Sequence, residues 1–378
     1  MKKRLFTPGP TPVPETVALA LAEPVIHHRS SEFRDLMGRV NDGLGYLFQT
    51  GRPVLTLTCS GTGGMESTLV SLFGPGDTIV SVNGGKFGER WGEMGRHFGL
   101  RVVEVKVPWG AAVEPGRLAD VLSAHPETKG VYLTHCETST GTAAEVRELA
   151  EVIRARSGAL VCVDGVSAVG AHEFRFDAWG IDACVTASQK GLMAPPGLAF
   201  VALSERAAKA ASSTGLPRFY LDLGRAIRAM EQNQTPWTPA VPLLAGAAAA
   251  LRMIREEGIE GVWGRHARLA EALRAALGAM GLRLFSAAPS PAVTAVRLPD
   301  GVGWEALGSA LRGNAGITVA GGQGEAAGKI FRIGHLGYHD EQDILAVVGA
   351  LERVLPRLGY SVEAGTGLAA AQRSLLGR

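Results

Sequence analysis

Between Val54 and about Leu203 the chain repeats one pattern: a short, nearly continuous apolar run, a turn, an amphipathic stretch, then another apolar run. The runs are "VLTLTC", "TIVSV", "RVVEV", "GVYLTH", "ALVCVD", "ACVTAS" and "LAFVAL". Segments such as "AAEVRELAEVIRAR" between them carry apolar residues at helical spacing. A strand that is apolar on both faces needs cover on both faces, and intervening helices provide it. The pattern therefore predicts an α/β fold with a mainly parallel sheet. Sheets of this kind bind ligands at the carboxyl ends of their strands, so the chemistry is sought there.

After Pro242 the texture changes. "LLAGAAAALRMIREEG" and "RHARLAEALRAALGAMG" read as two successive helices, each stopped by glycine. Short strand-like and helical pieces follow, up to a last helix near "EQDILAVVGALERVL". This predicts a smaller α+β domain over 243–378, a large domain over 16–242 and an N-terminal segment over 1–15. The last residues, "EAGTGLAAAQRSLLGR", have weak periodicity and read as a loosely packed tail.

Bulk properties remove several function classes. The chain has 378 residues, 46% of them hydrophobic and 20% charged, with a net charge of +2, so it can build a large core. No basic tract interleaved with aromatics is present, which argues against nucleic acid as a partner. The apolar stretch "AVPLLAGAAAAL" is too short and too interrupted to span a bilayer. The four cysteines, Cys59, Cys136, Cys162 and Cys184, form no CxxC pair. They read as free thiols in a reducing, cytoplasmic setting. The histidine pairs His27–His28 and His335/His339 lack a third ligand at helical spacing, so no metal site is expected.

Three strand ends carry chemistry. "TCSGTGGMEST" joins a strand to a helix through glycines, and a helix N-terminus with exposed N–H groups suits a phosphate. It lacks the Gly-Lys-Ser/Thr of a P-loop, and position six of a dinucleotide fingerprint counted from Gly61 is Glu66. A tight turn that binds nothing fits this piece equally well. "ALVCVD" ends in Asp164, where a cap or turn residue is the plain alternative. "SQKGLMAPPG" places Lys190 between two core strands with no acid beside it in sequence. A partly desolvated lysine there deprotonates more easily. One cofactor uses an anion cradle, a carboxylate and a lysine together: pyridoxal phosphate.

The chain resembles a class V (fold type I) aminotransferase, close to the alanine–glyoxylate, serine–pyruvate and serine–glyoxylate group. The matching pieces are "TPGPTPVP", "HHRSSEFRDLM", "SGTGGME", "GKFGERW", "HCETSTGT", "VDGVSAVG", "SQKGLMAPPGLAF", "TPWTPAVPLL" and "GKIFRIGHLGY", in family order. The resemblance implies a seven-stranded, mainly parallel large domain and a homodimer with composite active sites. It also implies that Thr62, Gly63, Gly64 and Gln189 receive the phosphate, with Thr238 arriving from the partner subunit. Phe87 would stack on the pyridine ring and Val166 would pack on its other face. Thr138 would reach the phenolic oxygen, and Asp164 would keep the ring nitrogen protonated. Lys190 would form the Schiff base and serve as general base, Arg332 would clamp the substrate carboxylate, and Gly9 would line the same pocket. "NGGKFGERW" holds one more glycine than the usual spacing, and Thr235 falls where some relatives present a phosphate-binding tyrosine.

The implied reaction moves the amino group of a small amino acid to a 2-oxo acid such as glyoxylate or pyruvate. No second arginine stands out for a side-chain carboxylate. Phosphoserine or aspartate aminotransferases are the enzyme alternatives, and a nucleotide-binding regulatory module is the non-enzyme one. A cysteine desulfurase is disfavoured because no cysteine follows Cys184.

Overall fold

The computed structural model describes residues 2–213 and 216–377. The seven apolar runs form β1 (Val54–Leu57), β2 (Thr78–Asn83), β3 (Arg101–Lys106), β4 (Thr128–Thr134), β5 (Leu160–Asp164), β6 (Ala183–Ala187) and β7 (Ala199–Leu203). They make one sheet in the order β1-β7-β6-β5-β4-β2-β3. The pairs β2–β3, β2–β4, β4–β5 and β5–β6 are parallel, and β7 runs antiparallel to both β6 and β1. Strands β1, β5, β6 and β7 are buried along their whole length, which is why they read as unbroken apolar runs.

Two helices bring backbone to the carboxyl edge of the sheet. Helix α1 (Gly61–Leu72) starts after β1, and helix α2 (Lys86–His97) starts after β2. Trp91 of α2 stacks on Tyr132 of β4 with ring centroids 4.1 Å apart. Such a buried aromatic pair adds about 0.5–1.5 kcal/mol beyond its area, and it fixes α2 over the sheet.

The second body has a three-stranded antiparallel sheet ordered β8-β10-β9, formed by β8 (Val293–Arg297), β9 (Ala320–Gly321) and β10 (Ile330–Gly334). The large core includes Leu244, Leu251, Ile259 and Trp263, whereas the small core begins at Leu269. The cores therefore part inside helix α3 (Ile259–Ala279), later in the chain than the change of texture at Pro242. The cause is the helix Val241–Glu257, whose apolar face joins the large-domain core rather than the small one.

The N-terminal segment belongs to both bodies. Arg4–Leu5 pairs in parallel with Ile317–Thr318, and Phe6 enters the small core. The C-terminal tail is not loose. Its residues Thr366–Leu375 form helix α4, packed on α3, with Ala370 and Ala371 buried. The buried Glu352 carboxylate accepts the N–H groups of Gly365 (2.9 Å), Gly367 (2.6 Å) and Leu368 (3.0 Å). One carboxylate thus satisfies the orphan donors at that helix start. Among the described residues no helix is long and apolar enough to cross a membrane.

Candidate active site

The turn from β6 to β7 carries Lys190. Ser188 shapes it: its Oγ donates to the Pro195 carbonyl (2.6 Å) and accepts from Leu198 N–H (3.2 Å). The Lys190 carbonyl accepts from Met193 N–H (3.0 Å) and the Thr11 hydroxyl (3.1 Å). Its Nζ donates to the Pro8 carbonyl at 2.7 Å. Burial pushes the Lys190 ammonium down to about 8, with the Cys136 thiol and the Asp164 carboxylate opposing. Gly9 makes this approach possible. A Cβ there would lie 2.4 Å from Nζ, and its φ of +147° is open to glycine.

Asp164 ends β5 in the same pocket. Its Oδ1 accepts from Val166 N–H (2.9 Å), and burial pushes its carboxyl up to about 6. A cation facing the other oxygen, such as a protonated ring nitrogen, would reverse that shift. Val166 packs where a Cβ on Gly61 would come within 3.0 Å of its methyl.

At the cradle, helix geometry leaves the first-turn N–H groups of α1 without intrahelical partners. Thr62 and Gly63 lie in that turn. Gly64 N–H already donates to the Ser60 carbonyl (3.2 Å), and a Cβ there would lie 2.7 Å from Val185 and 3.0 Å from Ala199. The Gln189 side-chain oxygen is buried with no hydrogen-bond partner among the described residues. An orphaned buried acceptor of this kind calls for a donor, or for the amide turned so that its NH2 faces a ligand.

Phe87 sits in the first turn of α2, half-buried, with the Arg90 guanidinium 5.0 Å over its ring. Arg90 Nη1 also donates to Thr62 Oγ1 (3.0 Å). Thr138 is buried, and its carbonyl accepts from Arg332 Nη1 (2.9 Å). Arg332, on β10, also donates from Nε to the Gly321 carbonyl (2.9 Å). Burial pulls its guanidinium down to about 10, with Glu137 opposing. The structure therefore gathers Gly9, Lys190, Asp164, Val166, Thr138 and Arg332 at one edge, with the α1 and α2 starts beside them. Thr238 stands apart, exposed on this chain.

The sequence matches the family model Aminotransferase class-V over residues 5–347. This chain is a class-V aminotransferase. Its cofactor is pyridoxal 5'-phosphate, and the cradle, the Asp164 carboxylate and the Lys190 amine fit that group in donor type and placement. The "Soluble hydrogenase 42 kDa subunit" of Anabaena cylindrica is 43% identical over 377 residues, covering 98% of both chains. The L-aspartate–glyoxylate aminotransferase of Paracoccus denitrificans is 37% identical over 375 residues, covering 97% of this chain and 95% of its own. The pyridoxamine–pyruvate aminotransferase structure from Mesorhizobium loti superposes with a TM-score of 0.95 at 32% identity, covering 99% of this chain and 97% of that one. Among the described residues no three His, Cys, Asp or Glu side chains converge as metal ligands.

Two residues at this edge had no role assigned from the class-V aminotransferase sequence: Arg90 and Glu137. Arg90 lies one helical turn after Phe87, a spacing that puts both on one face. Glu137 lies inside "HCETSTGT" beside its partner Ser139, but its other partners, Gly88 and Phe87, lie 49 and 50 residues away.

Proposed function

We infer that this aminotransferase takes the amino group of a small amino acid, alanine or serine, and delivers it to glyoxylate or pyruvate. The observation that carries this is Arg332. Two of its N–H groups are anchored on Gly321 and Thr138, and the rest of its fork has no partner among the described residues. An α-carboxylate is the group such a fork receives in bidentate fashion, and every substrate named here has one.

When bound, pyridoxal phosphate supplies a carbonyl carbon for amine exchange and a protonated ring that takes up the electron pair of the broken α-C–H bond. The chain's residues do the rest. Thr62, Gly63, Gly64 and Gln189 would hold the phosphate. Phe87 and Val166 would hold the ring, Thr138 would serve its phenolic oxygen, and Asp164 would keep its nitrogen protonated. Lys190 Nζ, its pKa lowered by burial to about 8, would act as the base for the proton of the substrate α-carbon. The same moves in reverse load the acceptor acid. A kinetic screen of amino donors against glyoxylate and pyruvate tests the reading; turnover confined to other donors or acceptors refutes it.

One observation favours a second reading, an acidic donor such as aspartate. Arg90 lies against Thr62 and the Phe87 ring and, among the described residues, forms no ion pair, so it offers a second guanidinium for a side-chain carboxylate. The Paracoccus relative is named for aspartate. Saturation kinetics with aspartate in wild type and in Arg90→Met separate the two.

We read the working unit as a cytoplasmic homodimer with Thr238 reaching the partner's phosphate. The support is an exposed aromatic patch beside Thr238. Phe219, 65% exposed, stacks on Trp237 at 4.9 Å, with Tyr220 on Trp237 at 6.1 Å and Arg225 over both Phe219 and Trp237. Large exposed patches of this kind mark interfaces. Mass in solution, together with cofactor binding by mixed dimers of Lys190→Ala and Thr238→Ala chains, decides it. A monomer with full activity refutes it.

A further inference from the structure

After β4 the chain makes a short hairpin in which Cys136–Glu137 pairs with Thr142–Ala143. Glu137 is buried, and its carboxylate collects four donors. Oε2 accepts from Phe87 N–H (3.0 Å) and Gly88 N–H (2.9 Å). Oε1 accepts from the N–H (3.1 Å) and the hydroxyl (2.5 Å) of Ser139. A group that only accepts, four times over, is an ionised carboxylate. Burial pushes its pKa upward, and those same four hydrogen bonds oppose the push.

The hairpin touches the start of α2, Arg332 and the second body. Its Ser139 hydroxyl accepts from Lys86 N–H (3.1 Å), which fastens the start of α2. Its Thr138 carbonyl anchors Arg332. Its far strand meets the second body, where Ser290 N–H donates to Gly141 (2.9 Å) and Ala143 N–H donates to Ala288 (2.9 Å). Gly85 lets the hairpin come this close, since a Cβ there would lie 2.4 Å from Ser139 Oγ and 2.6 Å from Glu137 Cδ.

We propose that Glu137 is a positioning residue that couples the two halves of the site. Its hydrogen bonds set Phe87 against the cofactor ring, and through Thr138 they set the tilt of Arg332 toward the substrate carboxylate. Ring and clamp then hold one register. The proposal rests on the transaminase reading of the site, and its test includes readouts that do not require turnover.

The test compares Glu137→Gln and Gly85→Ala with wild type. The carboxamide must turn its NH2 toward one donor pair, while the added methyl displaces a hairpin that keeps its charge. Both variants should weaken binding of pyridoxal phosphate to apoprotein and raise KM for the amino donor by about tenfold, as expected for two lost hydrogen bonds. Both should diminish the visible circular dichroism of the bound cofactor, and kcat should fall less than KM rises. Ser139→Ala, which removes one donor to Glu137 and the acceptor of Lys86 N–H, should shift the same quantities in the same direction by less. If KM, cofactor affinity and dichroism stay at wild-type values and only Tm falls, Glu137 is structural and the proposal is overturned. A KM altered in Glu137→Gln but not in Gly85→Ala would assign the effect to charge alone and also overturn it. Should Glu137→Gln fail to fold, the other two variants decide. If the transaminase reading itself fails, wild type shows no turnover with any donor, while cofactor affinity and dichroism still report on Glu137.

Discussion

Replacing Lys190 with Met should stabilise the cofactor-free protein at neutral pH even as it abolishes transamination. The side chain is buried, and its pKa falls from 10.5 to about 8 because burial disfavours the ammonium. The folded state therefore binds fewer protons than the unfolded state between about pH 8 and 10.5, and stability rises with pH across that window. Below it, both states are charged, and the folded state carries the full cost. With these two pKa values the cost is about 3 kcal/mol at pH 7 and under about 1 kcal/mol at pH 10. Methionine has similar length and no charge, so it removes the cost. It also loses the hydrogen bond to the Pro8 carbonyl, worth about 1 kcal/mol. The net gain is about 2 kcal/mol at pH 7 and close to zero at pH 10. Urea unfolding of both apoproteins, at matched chain concentration and at both pH values, measures it. A difference between wild type and Lys190→Met that does not change with pH would falsify the argument, because it would mean the lysine is not held in a desolvated site.

Asp164→Asn should also stabilise the apoprotein. A folded pKa raised from 3.8 to about 6 gives stability below about pH 4 that is lost as pH rises through 6. Removing the charge recovers up to about 3 kcal/mol at neutral pH, seen as a raised urea midpoint, while turnover of the loaded enzyme falls by orders of magnitude. Arg332→Lys keeps the charge but loses the fork, and should raise KM for amino donors about tenfold or more, read from initial rates. Glu352→Ala leaves three N–H groups at the start of α4 without their acceptor. It should cost about 2–3 kcal/mol and bring fast hydrogen exchange to residues 366–375, with little change in KM.

What was legible in the sequence is what a strand end dictates locally. Asp164 ends a strand of five buried residues and Lys190 comes three positions after another, so their neighbours in sequence announce their place at the sheet edge. The seven strands were legible for the same reason. The tail helix was not, because one buried carboxylate from the preceding helix organises its start, and no stripe along its own length reveals that. The domain limit was hidden by the Ala-rich helix Val241–Glu257, whose composition suits either core.

The least legible part of the site is the part that joins its pieces. Pro8 meets Lys190 across 182 positions, Thr138 meets Arg332 across 194, and Glu137 meets Phe87 across 50. None of these contacts leaves a period or a local motif. They do leave a trace in the positions where a side chain would not fit. The additional glycine in "NGGKFGERW" looks like an irregularity when the segment is read alone. In the fold, Gly85 is where α2 must let the Glu137 hairpin pass within contact distance, and any Cβ would collide with it. Gly9 plays the same part for the Lys190 amine, and Gly334 for the passing Thr7 backbone, which a Cβ would approach to 2.2 Å. At each of these glycines two distant stretches of chain come together around the reacting groups. The chemistry is carried by charged residues at strand ends, but its geometry depends on residues with no side chain at all.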